Sequence, residues 1–237
     1  MNNEEASYEI WTNDKDKTII FLPMVHAGKP AFYENVKNLI TQYKEQGYVV
    51  FYEGLKFEKS PDTVINSDLP ARYISYSKMH FPDSVSRHRL IYILKFKRMI
   101  GIIADSTSYV NMLKRSPLTR RAVFQPSAAS LGISTDDANV DVSVPQLVDE
   151  YENKFGIIEL EQIDFAIPLH EPLPKFRRLK KKNATKLIID YRDDNLSHSI
   201  QSTSSRKIMV IYGLAHKKGT FKELKEYDPS WKLVKSY

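Results

Sequence analysis

Two runs far apart in the chain, YVVFYEGL at 48–55 and KIMVIYG at 207–213, carry apolar residues at successive positions. A strand with one wet face alternates apolar and polar residues. An unbroken short run bounded by turn residues instead reads as a strand covered on both faces, the condition of a parallel sheet. A third strand-like run, TIIFLPMV at 18–25, precedes the first of these. Between 18–25 and 48–55 the pattern turns helical from Pro30, with Phe32, Val36, Leu39, Ile40 and Tyr43 at three- and four-residue spacing and Gly47 as the stop. This is a β-α-β unit. The expected fold is α/β, a mostly parallel central sheet with flanking helices, and SYEIW pairs with TIIFLPMV across NDKDK as an N-terminal hairpin.

The remainder reads as one domain over 1–237 carrying a mostly helical insertion at about 56–125, where Pro61, Pro70, Pro82 and Pro117 punctuate a Ser-, Tyr- and Lys-rich stretch. One helix is expected there, around 86–104. SLGISTDDANVDVS follows as a turn-rich segment, then a helix in VPQLVDEYENKFG, capped by Ser143 and stopped by Gly156. GIIELEQIDF predicts a short strand, 184–200 a helix, FKELKEY another helix and WKLVKSY a last strand.

The 237 residues are 42% hydrophobic and 27% charged, enough to build a core without staples. The chain has no cysteine, which excludes disulfides, thiolate metal sites and cysteine nucleophiles; any metal falls to His, carboxylate or carbonyl oxygen. A formal charge of +6 is spread over 35 basic and 29 acidic residues, so it favours approach to anionic surfaces, including peripheral membrane association, only weakly. MNNEEASYEIW lacks the pattern of a signal peptide, and the apolar stretch 90–105 is broken by Lys95, Lys97 and Arg98. The expected address is cytoplasmic by default.

Ligands of parallel sheets bind outside the carboxyl ends of the strands. His26 closes the strand 18–25, Glu53 closes the next strand, and His216 lies just beyond 207–212. Consecutive strands of a crossover usually neighbour each other, which predicts that His26 and Glu53 share a point within side-chain reach. Two imidazoles and a carboxylate can hold a divalent cation and acidify its water. Without metal, one histidine can act as general base while Glu53 orients its other nitrogen. Both arrangements suit hydrolysis.

MVHAGKPAFYENV, FYEGL and the distant IYGLAHKKG together resemble the TraB/PrgY/Tiki-like family, in the superfamily that also holds erythromycin esterases and ChaN-like haem-binding proteins. That family pattern has two Gly-x-x-His motifs, a glutamate after the second core strand and an arginine on a helix before the last motif. Gly213-Leu-Ala-His216 is an intact second motif, Glu53 matches the glutamate and Arg192 in YRDDNLSH the arginine. The first motif departs, with Pro23 in place of glycine before His26. The resemblance implies a hydrolase, metal-dependent or histidine-assisted, acting on a peptide or small-molecule substrate. In it His26, Glu53, Arg192 and His216 form the catalytic group, and Arg192 stabilises an anionic group or transition state. Its alternative is a non-catalytic protein that holds haem or another small ligand in the same cleft.

Asp136, Asp137 and Asp141 form an acidic turn, of which Asp141 is the preferred extra metal ligand beside His26, Glu53 and His216. Tyr52, Tyr191 and Tyr212 flank the motifs; Tyr52 and Tyr212 are the candidate cofactor ligands, able to donate to an oxyanion or coordinate haem iron. The runs Lys114-Arg115, Arg120-Arg121 and Arg177-Arg178-Leu-Lys180-Lys181-Lys182 could meet phosphates, but would bind nucleic acid only if merged into one stripe, so nucleic acid is not the expected partner. His80, His88, His170 and His198 lack matching partners and read as structural or surface residues. AHKKGT does not have the residue order of a phosphate loop.

Overall fold

The computed structural model describes residues 5–56, 84–103 and 122–237. The chain divides into two compact units, the first drawing its described residues from 5–54, 122–141 and 189–237, the second from 55–56, 84–103 and 142–188. Much of the segment expected as an insertion, 57–83 and 104–121, lies outside the described residues, as do His80, Lys114, Arg115, Arg120 and Arg121.

The first unit is built on strands β1 (Glu9–Thr12) and β2 (Thr18–Met24), the short β3 (Ala27–Gly28), helix α1 (Pro30–Glu45), β4 (Val49–Tyr52), β5 (Val123–Phe124), β6 (Ala138–Asn139), β7 (Lys207–Gly213) and β8 (Lys232–Ser236). Six of these strands form one mixed sheet in the order β6-β4-β7-β2-β1-β8, while β3 pairs with β5 separately. β6, β4, β7 and β2 run parallel; β1 is antiparallel to both β2 and β8. β7 takes the centre, as its composition requires: Ile208, Met209, Val210, Ile211 and Tyr212 are all buried, facing alternate sides.

On one face Ile20, Leu22, Met24, Val50, Met209 and Ile211 pack against Phe32, Tyr33, Val36 and Ile40 of α1. On the other, Ile19, Phe21, Phe51, Val210 and Tyr212 meet Leu196 and Ile200 of helix α5 (Lys181–Ser202) and Phe221 and Leu224 of helix α6 (Lys217–Tyr227). Each such buried side chain contributes roughly 1.5–3 kcal/mol relative to exposure. Two faces covered by helices explain the unbroken apolar runs.

Three expectations need correction. β7 lies between β2 and β4, so the strands leading to His26 and Glu53 are not neighbours. The last of the parallel strands in the chain, β7, takes the centre, so consecutive order in sequence gave way to a strand apolar on both faces. GIIELEQIDF forms no strand; its second half becomes the short helix α4 (Gln162–Ala166), opened by a Glu161–Asp164 capping box. The acidic turn supplies an edge strand, β6, beside β4.

The second unit contains α2 (Ser84–Ile100) and α3 (Val144–Phe155), started by a Ser143–Gln146 capping box and ended at Gly156. Ile91 and Leu94 pack on Leu160 and Phe165, and Lys95 pairs with Glu152 at 2.8 Å. In the basic run after α4, Arg177 is buried and turned onto Glu161 and Asp164, while the exposed Arg178 donates to the Leu173 carbonyl. Among the described residues no helix is long and apolar enough to cross a membrane.

Asp137 joins three parts of the first unit. It accepts from the Val50 amide at 3.0 Å, the Lys44 ammonium at 2.6 Å and the Ser134 amide at 2.8 Å. Burial works against its charge, but these donors outweigh burial and hold the carboxyl below its ordinary range. A carboxyl depressed in the folded state stabilises the protein above the unfolded carboxylate range and loses that contribution as pH falls through its folded value. Asp137→Asn is therefore expected to cost about 1–3 kcal/mol at neutral pH. Urea titrations at a series of pH values should show the gap between variant and wild type closing in acid.

Candidate functional site

Glu53, Asp141 and Gly213 sit just past β4, past β6 and at the end of β7, so parallel pairing delivers them to one edge of the sheet. Arg192 on α5 fills the space between the carboxylates. Its Nε donates to Asp141 Oδ1 at 2.9 Å, and its Nη2 reaches Asp141 Oδ2 at 2.7 Å and Glu53 Oε1 at 2.6 Å. Only a guanidinium has the planar fork for this double contact. The other Glu53 oxygen accepts from the Gly213 amide at 2.5 Å. Asp141 also accepts from the Tyr212 hydroxyl at 2.8 Å and the Gly54 amide at 3.0 Å.

These groups are shielded from water. Asp141 is 4% exposed, Arg192 8%, and Tyr212 fully buried. Burial opposes the charge on Arg192, yet Asp141, Tyr212 and Glu53 reverse the balance and raise its pKa further above the ordinary arginine range. Burial, then the neighbouring Asp141 charge, raises the Tyr212 hydroxyl, which stays a neutral donor. The Tyr212 ring also carries the Arg192 guanidinium 5.4 Å from its centroid.

Beyond Gly213 the chain makes one turn of 3₁₀ helix, Leu214–His216, and enters α6. His216 is 4% exposed, and its ring stands edge-on to Tyr212 with centroids 5.1 Å apart. Its Nδ1 lies 2.6 Å from Asp193 Oδ1. Burial pushes the Asp193 carboxyl above its ordinary range, with the His216 contact opposing. The Nε2 atom has no hydrogen-bond partner among the described residues. A side-chain carbon at Gly213 would meet Glu53 Oε2 at 3.1 Å and His216 Cδ2 at 3.6 Å, so glycine there lets the two side chains flank the same backbone.

The expected residues therefore divide. Glu53, Asp141, Arg192, Tyr212 and His216 come together. His26 does not join their hydrogen bonds: it is exposed on the bend after β2, its carbonyl accepting from Gln125, its ring without a partner among the described residues. Tyr52 lies half-buried on the α1 face, where with Glu53, Gln125, Leu131 and Ile211 it lines a cavity of about 60 Å³. Pro23 does no damage to the sheet. Thr18 donates towards β7, so alternation turns the nitrogen of residue 23 towards β1, whose pairing stops at Phe21.

Asp193 escaped the sequence reading. It adjoins Arg192 on the same helix, and no local spacing distinguishes it from Asp194, which is exposed. Asn139 was missed too; its amide donates to the Gly54 carbonyl at 2.8 Å and its oxygen accepts from Asp141 N at 3.0 Å, shaping the turn that aims Asp141 inward.

The donor set does not fit a resident divalent cation in this arrangement. Both Glu53 oxygens and both Asp141 oxygens already accept protein hydrogen bonds, and His216 Nδ1 is turned to Asp193. Among the described residues no group of three His, Cys, Asp or Glu side chains is placed to hold a metal. Nor is the Tyr212 oxygen, buried on Asp141, presented to a haem iron. In comparisons with known proteins, the chain matches no family model, no curated protein and no solved structure.

Breaking a buried ion cluster leaves uncompensated charge. Arg192→Leu is expected to destabilise by about 3–5 kcal/mol, with Arg192→Lys a poor replacement because it lacks the fork. Tyr212→Phe should cost about 2 kcal/mol, one bond to a charged acceptor. Equilibrium unfolding in urea measures all three.

Proposed function

We propose that the cluster at the carboxyl ends of β4, β6 and β7 is the site of a hydrolase of the TraB/Tiki-like and erythromycin-esterase-like kind, working without a resident metal on an ester or peptide carbonyl. The observation that carries this reading is His216: a buried imidazole with one nitrogen held by a carboxylate and the other unpartnered among the described residues, beside Gly213 and Glu53 at a sheet edge.

His216 Nε2 accepts a proton from water as the water oxygen bonds to the substrate carbonyl carbon, whose π electrons move to oxygen. Collapse of that adduct breaks the bond to the alcohol or amine, which leaves with a proton returned from an imidazole. His26, exposed beyond the neighbouring strand β2, is the second imidazole of this edge and supplies proton transfer on the solvent side. Glu53 and Arg192 act as a frame. With its Nε and Nη2 on two carboxylates, Arg192 holds the strand ends in register instead of meeting an anionic substrate group.

A panel of nitrophenyl esters and fluorogenic peptides, assayed with the full chain, tests the reading. Turnover of at least one substrate should fall roughly 10²–10⁴-fold in His216→Gln, fall less in His26→Ala, and survive a chelator. Turnover indifferent to His216, or absent across the panel, would remove the proposal; loss on chelation would restore a metal to the site.

A further inference from the structure

The run His216-Lys-Lys-Gly219 ends in a second glycine that the hydrolytic reading leaves without a task, and α5 carries an aspartate, Asp193, beside the arginine. The geometry assigns these two a joint role: Asp193 and Gly219 are positioning residues that hold His216 as its Nδ1–H tautomer, with the bare nitrogen at Nε2. The inference rests on His216 as the base but concerns a separate, directly observable property of the ring.

An ionised carboxylate accepts hydrogen bonds and cannot donate them. With Asp193 ionised and its Oδ1 2.6 Å from Nδ1, that ring nitrogen carries the proton, and a neutral imidazole then has its lone pair on Nε2. Both partners are more than nine-tenths buried, so water does not compete for the contact.

Gly219 makes the contact possible. A carbon added at Gly219 would lie 1.7 Å from Asp193 Oδ2 and 2.7 Å from its Cγ, well inside any tolerable approach. Its φ is not among the positive values, so backbone freedom is not the reason for glycine here; space is. Any side chain would drive the carboxylate off the helix start and away from the ring.

The surrounding bonds fix both ends of the pair. Ser197 Oγ donates to the Asp193 carbonyl at 2.7 Å and lies 3.1 Å from the Thr220 carbonyl, and Thr220 Oγ1 donates to the His216 carbonyl at 2.8 Å. These tie α5 to the first turn of α6. Tyr212, edge-on at 87°, limits rotation of the ring from the strand side.

Nitrogen-15 NMR of histidine-labelled full-length protein reads the tautomer directly, with the His216 signals assigned by their loss in His216→Gln. At alkaline pH, where the ring is neutral, wild type should show a protonated Nδ1 and a bare Nε2. Asp193→Ala and Gly219→Ala should both release the ring to a mixture of tautomers and, on any substrate found, lower kcat roughly 10²–10⁴-fold with KM little changed. Asp194→Asn, one residue away and exposed, should alter neither. A wild-type ring protonated at Nε2 overturns the inference even if no variant folds, as does a Gly219→Ala protein that keeps the wild-type tautomer. Nδ1 protonation without any hydrolysis leaves this inference standing while the hydrolase reading falls; His216-dependent hydrolysis with Nε2 protonated does the reverse.

Discussion

A guanidinium taken out of water has to find its negative charge inside the protein, and Arg192 finds it on two strands at once. Asp141 follows β6 and Glu53 follows β4, so a single side chain from α5 ties the outer strands of the parallel sheet to the helix that covers them. The remaining bonds of the site depend on this arrangement. Tyr212 and Gly54 complete Asp141, and Gly213 completes Glu53. With Arg192 directed at the strand ends, the next residue, Asp193, is directed at the start of α6, where His216 waits.

Two glycines do related work on either side of that histidine. At Gly213 the missing side chain leaves room for Glu53 and His216 against the end of β7; at Gly219 it leaves room for Asp193 against the first turn of α6. The ring is thus approached by one carboxylate through its Nδ1 and flanked by another across the backbone. Two carboxylates meet Arg192 and a third, Asp193, meets His216; burial raises the Asp193 carboxyl, with the His216 contact opposing. Both oxygens of Glu53 and of Asp141 are taken by protein donors, and among the described residues no three ligating side chains are placed around a metal.

Much of the plan was legible in advance. Unbroken apolar runs announced strands covered on both faces, and the Ser143 cap with Gly156 marked a helix to within a residue. Glu53, Asp141, Tyr212 and His216 were identifiable as chemistry near element ends, and Arg192, in the middle of α5, through the family resemblance. Which of them would touch was not. Crossover strands usually neighbour each other, yet β7, last of the parallel strands in sequence, entered between β2 and β4 and left His26 on the solvent side, outside the hydrogen-bonded group. GIIELEQIDF had strand composition and became extended chain with a short helix, because its Glu161 and Asp164 found better use as reciprocal caps.

By itself, then, the amino-acid order determined most of the elements, their buried faces and many of the ionisable groups near their ends, since these follow from periodicity and turn chemistry within a few residues. Tertiary structure alone decided that Asp193 serves the histidine and Asp194 does not, that Arg192 turns inward between carboxylates, and that Pro23 costs no ladder bond. Such choices depend on contacts between distant segments, 160 residues apart in the Gly213–Glu53 bond, where burial and hydrogen-bond geometry, rather than local spacing, set the partners.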